Sequence, residues 1–219
     1  YYYPTDTLNL GPDRRSLFHV LKKNLRNGKI KEVYDDDYFQ SKLTYQEILD
    51  KLVAIDTLEA GIEQLNAGEE LDPQYINRRT ITAAEIRQYR IKGTWYVNKR
   101  LGELKYRVLG IAPVAPDVYT LDLPEEEQDL VELFWVWFPD ARKSLNASKV
   151  FNNRNSSQPI TYDHMLNSRR FNSLIYKEEN VYEDRKIEEY IFEDALKQLL
   201  ESERVKSVIR DFEQDLWNN

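Results

Sequence analysis

Two stretches of alternation in the middle of the chain do most to limit what it can fold into. Tyr89, Ile91, Trp95 and Val97 alternate with Arg90, Lys92, Thr94 and Asn98, and shortly afterwards Leu104, Tyr106 and Val108 alternate with Lys105 and Arg107. A period of two is the pattern of a strand with one face buried. Gly102 lies in the short connection, so an antiparallel hairpin is predicted, its second strand ended by Pro113 and Pro116. A third strand is expected over residues 130–138, almost wholly apolar and containing Trp135 and Trp137. Such a run belongs in the centre of a sheet, covered on both faces. Pro139 should stop it, with a short helix following from Asp140.

Helical spacing flanks this sheet. Leu17, Leu21 and Leu25 recur every four residues, with Phe18 and Val20 beside them, which predicts a helix over about 13–27, capped by Asp13 and ended by Gly28. Thr44 and Glu47 form a capping box ahead of Ile48, Leu49, Leu52 and Ile55. That helix is expected to continue through Leu58, Ile62 and Leu65 to Gly68, before the loop marked by Asp72-Pro73. Residues 152–159 are a loop by composition, and Thr161 caps a helix through Tyr162, Met165 and Leu166. From about Arg185, Ile187, Ile191, Ala195 and Leu199, then Val205, Val208, Phe212 and Leu216, keep helical spacing with a change of register near Ser202. Two helices, or one with a kink, would account for that change. The expected fold class is α+β, a small central antiparallel sheet flanked by helices, with a long helical C-terminal segment. Residues 1–219 read as a single domain, with 185–219 packed on its core or extending from it.

Little in the sequence points to catalysis. There is no cysteine, so thiolate chemistry and Cys-based zinc sites are excluded. His19 and His164 are the only histidines, and neither has a local partner at ligand spacing. No Gly-rich phosphate loop and no nucleophile elbow is present, and no cofactor is expected. The acidic runs Asp35-Asp36-Asp37 and Glu125-Glu126-Glu127 lack the pattern of a calcium loop, Glu188-Glu189 flanks an amphipathic helix, and all three read as solvated faces. The remaining enzymatic reading is a hydrolase acting on envelope polysaccharide through an acidic pair, which would need a carboxylic acid raised by burial. A net charge of −7 argues against nucleic acid, and the pairs Arg14-Arg15, Arg78-Arg79 and Arg169-Arg170 are dispersed among acids. No run approaches the length of a membrane-spanning helix. The start, Tyr1-Tyr2-Tyr3-Pro4, is unlike a native N-terminus, so a leader or longer segment is expected to have been removed. Fifteen Tyr and four Trp supply the residue types enriched at protein interfaces.

Two stretches carry a family resemblance. One is Ile86-Arg87-Gln88-Tyr89-Arg90-Ile91-Lys92-Gly93-Thr94-Trp95-Tyr96 with the later Arg107-Val108-Leu109-Gly110-Ile111-Ala112-Pro113. The other, more specific, comprises Trp137-Phe138-Pro139-Asp140-Ala141-Arg142, Val150-Phe151-Asn152-Asn153-Arg154-Asn155, Thr161-Tyr162-Asp163 and the run from Arg169-Arg170-Phe171-Asn172 to Val181-Tyr182, closing on Asp184-Arg185-Lys186-Ile187-Glu188-Glu189-Tyr190. Together they resemble the GldN/PorN family of the Bacteroidetes type IX secretion system, over roughly residues 80–192. Gly93 departs from the acidic residue expected just before the family's Trp. The resemblance implies a non-enzymatic subunit on the periplasmic side of the outer membrane. It also implies pairing with a lipoprotein of the GldK/PorK kind, self-association within a ring, and contact with a motor-linked protein of the GldM/PorM kind. No catalytic residue carries over. For protein binding, the density of aromatic and charged side chains in 171–182 singles out Arg169, Phe171, Tyr176, Lys177, Tyr182 and Arg185. Arg142, Arg169 and Arg185 would grip a partner's carboxylates or, the favoured role, hold the loop around Asn152 and Asn155 from within. A cytosolic adaptor is the third reading.

Overall fold

The computed structural model describes residues 15–58, 72–150, 158–181, 184–192 and 194–217, with isolated positions between 59 and 71. The chain divides into two compact units, Tyr1–Gly93 with Val108–Ser168, and Thr94–Arg107 with Arg169–Asn219.

The first unit is built on an antiparallel sheet, and the fold class is the α+β one that the sequence pattern predicts. Helix α1 (Leu17–Arg26) buries Leu17, Phe18, Val20, Leu21 and Leu25. Its cap is Ser16, whose hydroxyl accepts from the His19 N–H, while Asp13 lies outside the described residues. A second free N–H of that first turn, on Phe18, donates to the Tyr89 hydroxyl at 3.0 Å. The short strand β1 (Val33–Tyr34) precedes α2 (Tyr45–Leu52), where Thr44 and Glu47 form the expected capping box.

That helix does not continue to Gly68. At Val53 the chain turns extended, and β2 (Val53–Thr57) pairs with β3 (Ile76–Thr80) in a separate two-stranded ribbon. Apolar Ile55 fits a helical stripe as well as a strand, and pairing with β3 settles it as a strand, which the β-branched residues Val53, Ile55 and Thr57 favour without fixing. Ile55 is exposed, and Ala54 is buried instead.

The predicted hairpin is present as β4 (Gln88–Asn98) and β5 (Glu103–Pro116), joined by a turn in which Gly102 takes φ 63°. Strand β5 runs on through Pro113 and ends at Pro116, the second of the two prolines predicted to stop it. The third predicted strand is interrupted, giving β6 (Leu130–Glu132) and β7 (Trp135–Trp137), both paired with β5. These two departures explain each other. Gly110 and Ile111 pair with β7, Val114 to Pro116 pair with β6, and Pro113 falls opposite the interruption, its carbonyl accepting from Leu133 N–H at 3.1 Å. A proline without an N–H is tolerated where the ladder is already broken. Strand β7 is central, between β1 and β5. Helix α3 (Phe138–Asn146) starts two residues before Asp140, with Pro139 in its first turn. A two-residue ribbon, β8 (Lys149–Val150) with β9 (Ile160–Thr161), leads into α4 (Tyr162–Asn167), capped by Thr161 as expected.

The core of this unit is filled by Trp135, Phe134, Phe138, Phe18, Tyr162 and Ile111, all essentially excluded from solvent. Trp135 is core, as its place in the apolar run predicts. Its indole N–H donates to the Glu132 carboxylate at 2.5 Å, and Arg90 pairs with the same group.

In the second unit, the hairpin tip (residues 94–107) belongs with the segment after Arg169. Residues 170–176 have no regular structure, and Lys177 then bridges Lys186 as an isolated antiparallel pair. A one-turn helix α5 (Ile187–Tyr190) and the long α6 (Ala195–Trp217) follow. The break in the C-terminal helices falls at residues 191–194, not near Ser202. Ser202 sits within α6, buried, its hydroxyl accepting from Ile175 N–H at 2.8 Å. The apparent change of register marks the point where a polar residue faces inward to hold the preceding segment.

Candidate functional site

The segment singled out for protein binding lies in the second unit. Arg169 is exposed, with a left-handed backbone at φ 51°, an uncommon conformation for a residue with a Cβ. Its guanidinium lies 4.8 Å from the centre of the Trp95 ring and 5.8 Å from that of Tyr106, and the two rings are 5.1 Å apart. A cation over two faces is held by the ring quadrupoles while its N–H edges stay available. Burial raises the Tyr106 phenol, and the charge of Arg169 opposes that shift.

Phe171 and Tyr176 are half-buried. The Tyr176 carbonyl accepts from Ile187 N–H at 2.8 Å, so together with the Lys177–Lys186 bridge the segment is sewn to α5. Arg185 lies 5.9 Å from the Tyr190 ring, and Tyr190 donates to Glu201 of α6, which also holds Arg204 through both carboxylate oxygens. Tyr182 lies outside the described residues, as do Asn152 and Asn155. Four of the five described residues fall into two groups. Tyr176, Lys177 and Arg185 gather around α5, whereas Arg169 sits with the hairpin tip. Arg142, weighed for the same role, is engaged internally, its guanidinium on both oxygens of Asp163 at 2.8 and 3.2 Å.

Two features escaped the sequence reading. The first is the aromatic surface of the hairpin tip: Trp95 and Tyr106 under Arg169, and Tyr96 under Arg107 at 5.4 Å. Alternation along the strands places Trp95 and Tyr96 on opposite faces, but nothing local joins them to Arg169. The second is on α6. Leu196 and Leu200, then Val208 and Phe212 beyond the intervening Arg204, are spaced in steps of four and are 66, 60, 55 and 49 % exposed, while only Ser202 and Val205 of the helix are buried among the described residues. Their spacing reads as core, and only the tertiary structure reveals that the row is uncovered.

Two of the three acidic runs, 35–37 and 188–189, serve local structure. The Asp36 carboxylate accepts from the backbone N–H groups of Tyr38 and Ser41 at 2.8 and 3.2 Å. Burial alone would raise that carboxyl, but these N–H bonds and one from Gln40 hold it below the usual range. Asp35 pairs with Lys51, and Asp37 with Lys92. Glu188 pairs with Lys186, and Glu189 caps α5 through the Lys186 N–H. Among the described residues, the carboxyls with a shifted pKa, Glu32, Asp36, Glu47, Asp194 and Glu201, are all lowered, opposite to what a general acid requires. Among the described residues no group of three His, Asp or Glu side chains is placed to hold a metal ion, and no helix is long and apolar enough to cross a membrane.

A family model described as gliding motility associated protein GldN matches residues 1–218. The chain belongs to the GldN family. Proteins of the GldN family are structural components of the gliding and type IX secretion machinery rather than catalysts. No curated protein matches the chain.

Proposed function

We propose that this GldN-family chain is a periplasmic structural subunit of the type IX secretion and gliding machinery. In this reading it pairs with an outer-membrane lipoprotein of the GldK/PorK kind, assembles with it into a ring, and meets a periplasmic protein of the GldM/PorM kind. The observation that carries the reading is the uncovered row on α6. Four large apolar side chains along one helix are more than scattered surface residues, and such a patch is characteristic of a surface that another protein covers. Aromatic and arginine side chains of the same unit, at Arg169, Tyr176 and Arg185, are the types that dominate interface energetics. The test is sedimentation velocity of the chain with the lipoprotein of its own organism, freed of lipid. Wild-type protein should give a stoichiometric complex. Leu200→Glu with Val208→Glu should abolish it and leave the melting temperature within the range of ordinary surface changes. Independent sedimentation of two folded wild-type proteins would overturn the pairing.

A further inference from the structure

The chain is acidic overall, yet its hairpin tip is not. Residues 94–107 carry Lys99, Arg100, Lys105 and Arg107 against the single acid Glu103, in a chain of net charge −7. Lys105 is engaged by Glu103 at 3.0 Å. Lys99, Arg100, Arg107 and the neighbouring Arg169 have no carboxylate within ion-pair distance among the described residues. Two of these guanidiniums are fixed in place, Arg107 over Tyr96 and Arg169 over Trp95 and Tyr106. The turn between the strands is closed by the N–H groups of Leu101 and Gly102 on the Asn98 carbonyl, and by Arg100 N–H on the Asn98 side chain. A stacked guanidinium loses little freedom on meeting a carboxylate and offers it two parallel N–H bonds. The tip presents one stacked guanidinium on each face, Arg107 on one and Arg169 on the other, each shaped to take a carboxylate.

The first unit presents the complementary surface. Residues 121–129 hold five acids and no base. Unlike a loose acidic run, this loop is shaped. The Gln128 side chain donates to the Leu121 and Leu123 carbonyls at 3.3 and 2.8 Å, and Asp117 N–H closes the base on the Asp129 carbonyl at 2.9 Å. Arg79 and Arg87 occupy Asp122 and Glu125. Glu126, Glu127 and Asp129 are left exposed, without an ion-pair partner among the described residues.

We infer that the basic, aromatic hairpin tip of one copy docks on the Asp122–Asp129 loop of a second copy of the same chain. The surfaces that meet are different ones, so the contact is head to tail. Each bound copy still offers a free tip or a free loop, and the association closes into a ring or extends as a filament. This deepens the ring-subunit reading and rests on it, by assigning the contact between like subunits to a charged pair of surfaces. The apolar row of α6 is left for the lipoprotein.

The experiment is sedimentation velocity of the whole chain and two charge-reversed variants, Arg100→Glu with Arg107→Glu, and Glu126→Lys with Glu127→Lys. Wild-type protein should self-associate in about 50 mM salt and at least tenfold more weakly in about 500 mM, where the screening length falls to a few ångströms. Each variant, folded by circular dichroism, should sediment as a monomer. Their equimolar mixture should associate again, because the unaltered basic tip of the loop variant meets the unaltered acidic loop of the tip variant, and the two reversed surfaces are complementary as well. Recovery in the mixture is a result that misfolding of either variant does not produce. A wild-type chain that stays monomeric in low salt, variants that associate like wild type, or a mixture that remains monomeric would each overturn the inference. The lipoprotein titration run alongside separates the two ideas: a monomeric chain that still binds the lipoprotein removes this contact and leaves the pairing intact.

Discussion

At the scale of single residues, Gly110 carries the tightest constraint. A Cβ there would run into the Phe39 ring, with Cε1 at 2.7 Å, and into Trp135 Cε3 at 3.3 Å. Phe39 has little room to yield. It holds a left-handed backbone at φ 59° and meets Tyr34, Trp135 and Trp137 edge-on, with centroids at 5.5, 6.2 and 4.7 Å. Gly110→Ala should destabilise the protein by about 1–3 kcal/mol, the usual cost of overpacking a core, read as a shifted midpoint in urea unfolding with an unchanged slope. The Asp36 turn gives a prediction in pH. Its carboxyl is depressed in the folded chain, so its charge stabilises the fold above the ordinary aspartate pKa. That stability is lost as the pH falls through the folded value. Asp36→Asn should therefore be less stable than wild type at pH 7, by about 1 kcal/mol or less for so open a site. The difference should close when both are unfolded in urea well below pH 4. A gap that persists in acid would assign the effect to geometry rather than charge.

At the scale of elements, Ser202 fastens an irregular segment to a helix. Ile175 N–H has no strand or helix to bond within, and the Ser202 hydroxyl is its acceptor. Ser202→Ala leaves that donor unsatisfied, at a cost of about 1–2 kcal/mol. Hydrogen exchange of the Ile175 amide should accelerate roughly tenfold, whereas the α1 amides should keep their wild-type rates. What was legible in the sequence follows the same division between local and distant causes. The hairpin, the Thr44–Glu47 box and the Thr161 cap are each set by residues within a turn of one another, and each is present. The end of α2 at Leu52, the passage of β5 through Pro113 and the inward face of Ser202 are decided by partners far along the chain: Thr80, Leu133 and Ile175. The candidate site divides likewise. Tyr176, Lys177 and Arg185 come together through a bridge spanning nine residues. The Arg169 stack joins residues more than sixty apart, and no periodicity reports that.

At the scale of the whole molecule, the second unit is poor in buried apolar side chains. Among its described residues only Ile187, Ser202 and Val205 are buried, and one of those is polar. Most of a helix's stability in a protein comes from packing one face, which α6 does little of, and segment 169–181 is tied by a single bridge, Lys177 to Lys186. Its hairpin tip, meanwhile, is the continuation of β4 and β5, whose other ends lie in the first unit. We therefore propose that residues 1–219 fold as one cooperative domain. Calorimetry of the full chain should show a single transition whose van't Hoff and calorimetric enthalpies agree. A peptide of residues 169–219, cut off from the hairpin, should lack the far-ultraviolet helical signal that α5 and α6 give in the intact chain. Two resolved transitions, or a helical and cooperatively melting peptide, would make the second unit an independent domain. Its uncovered apolar row would then have to be stable in water without the sheet.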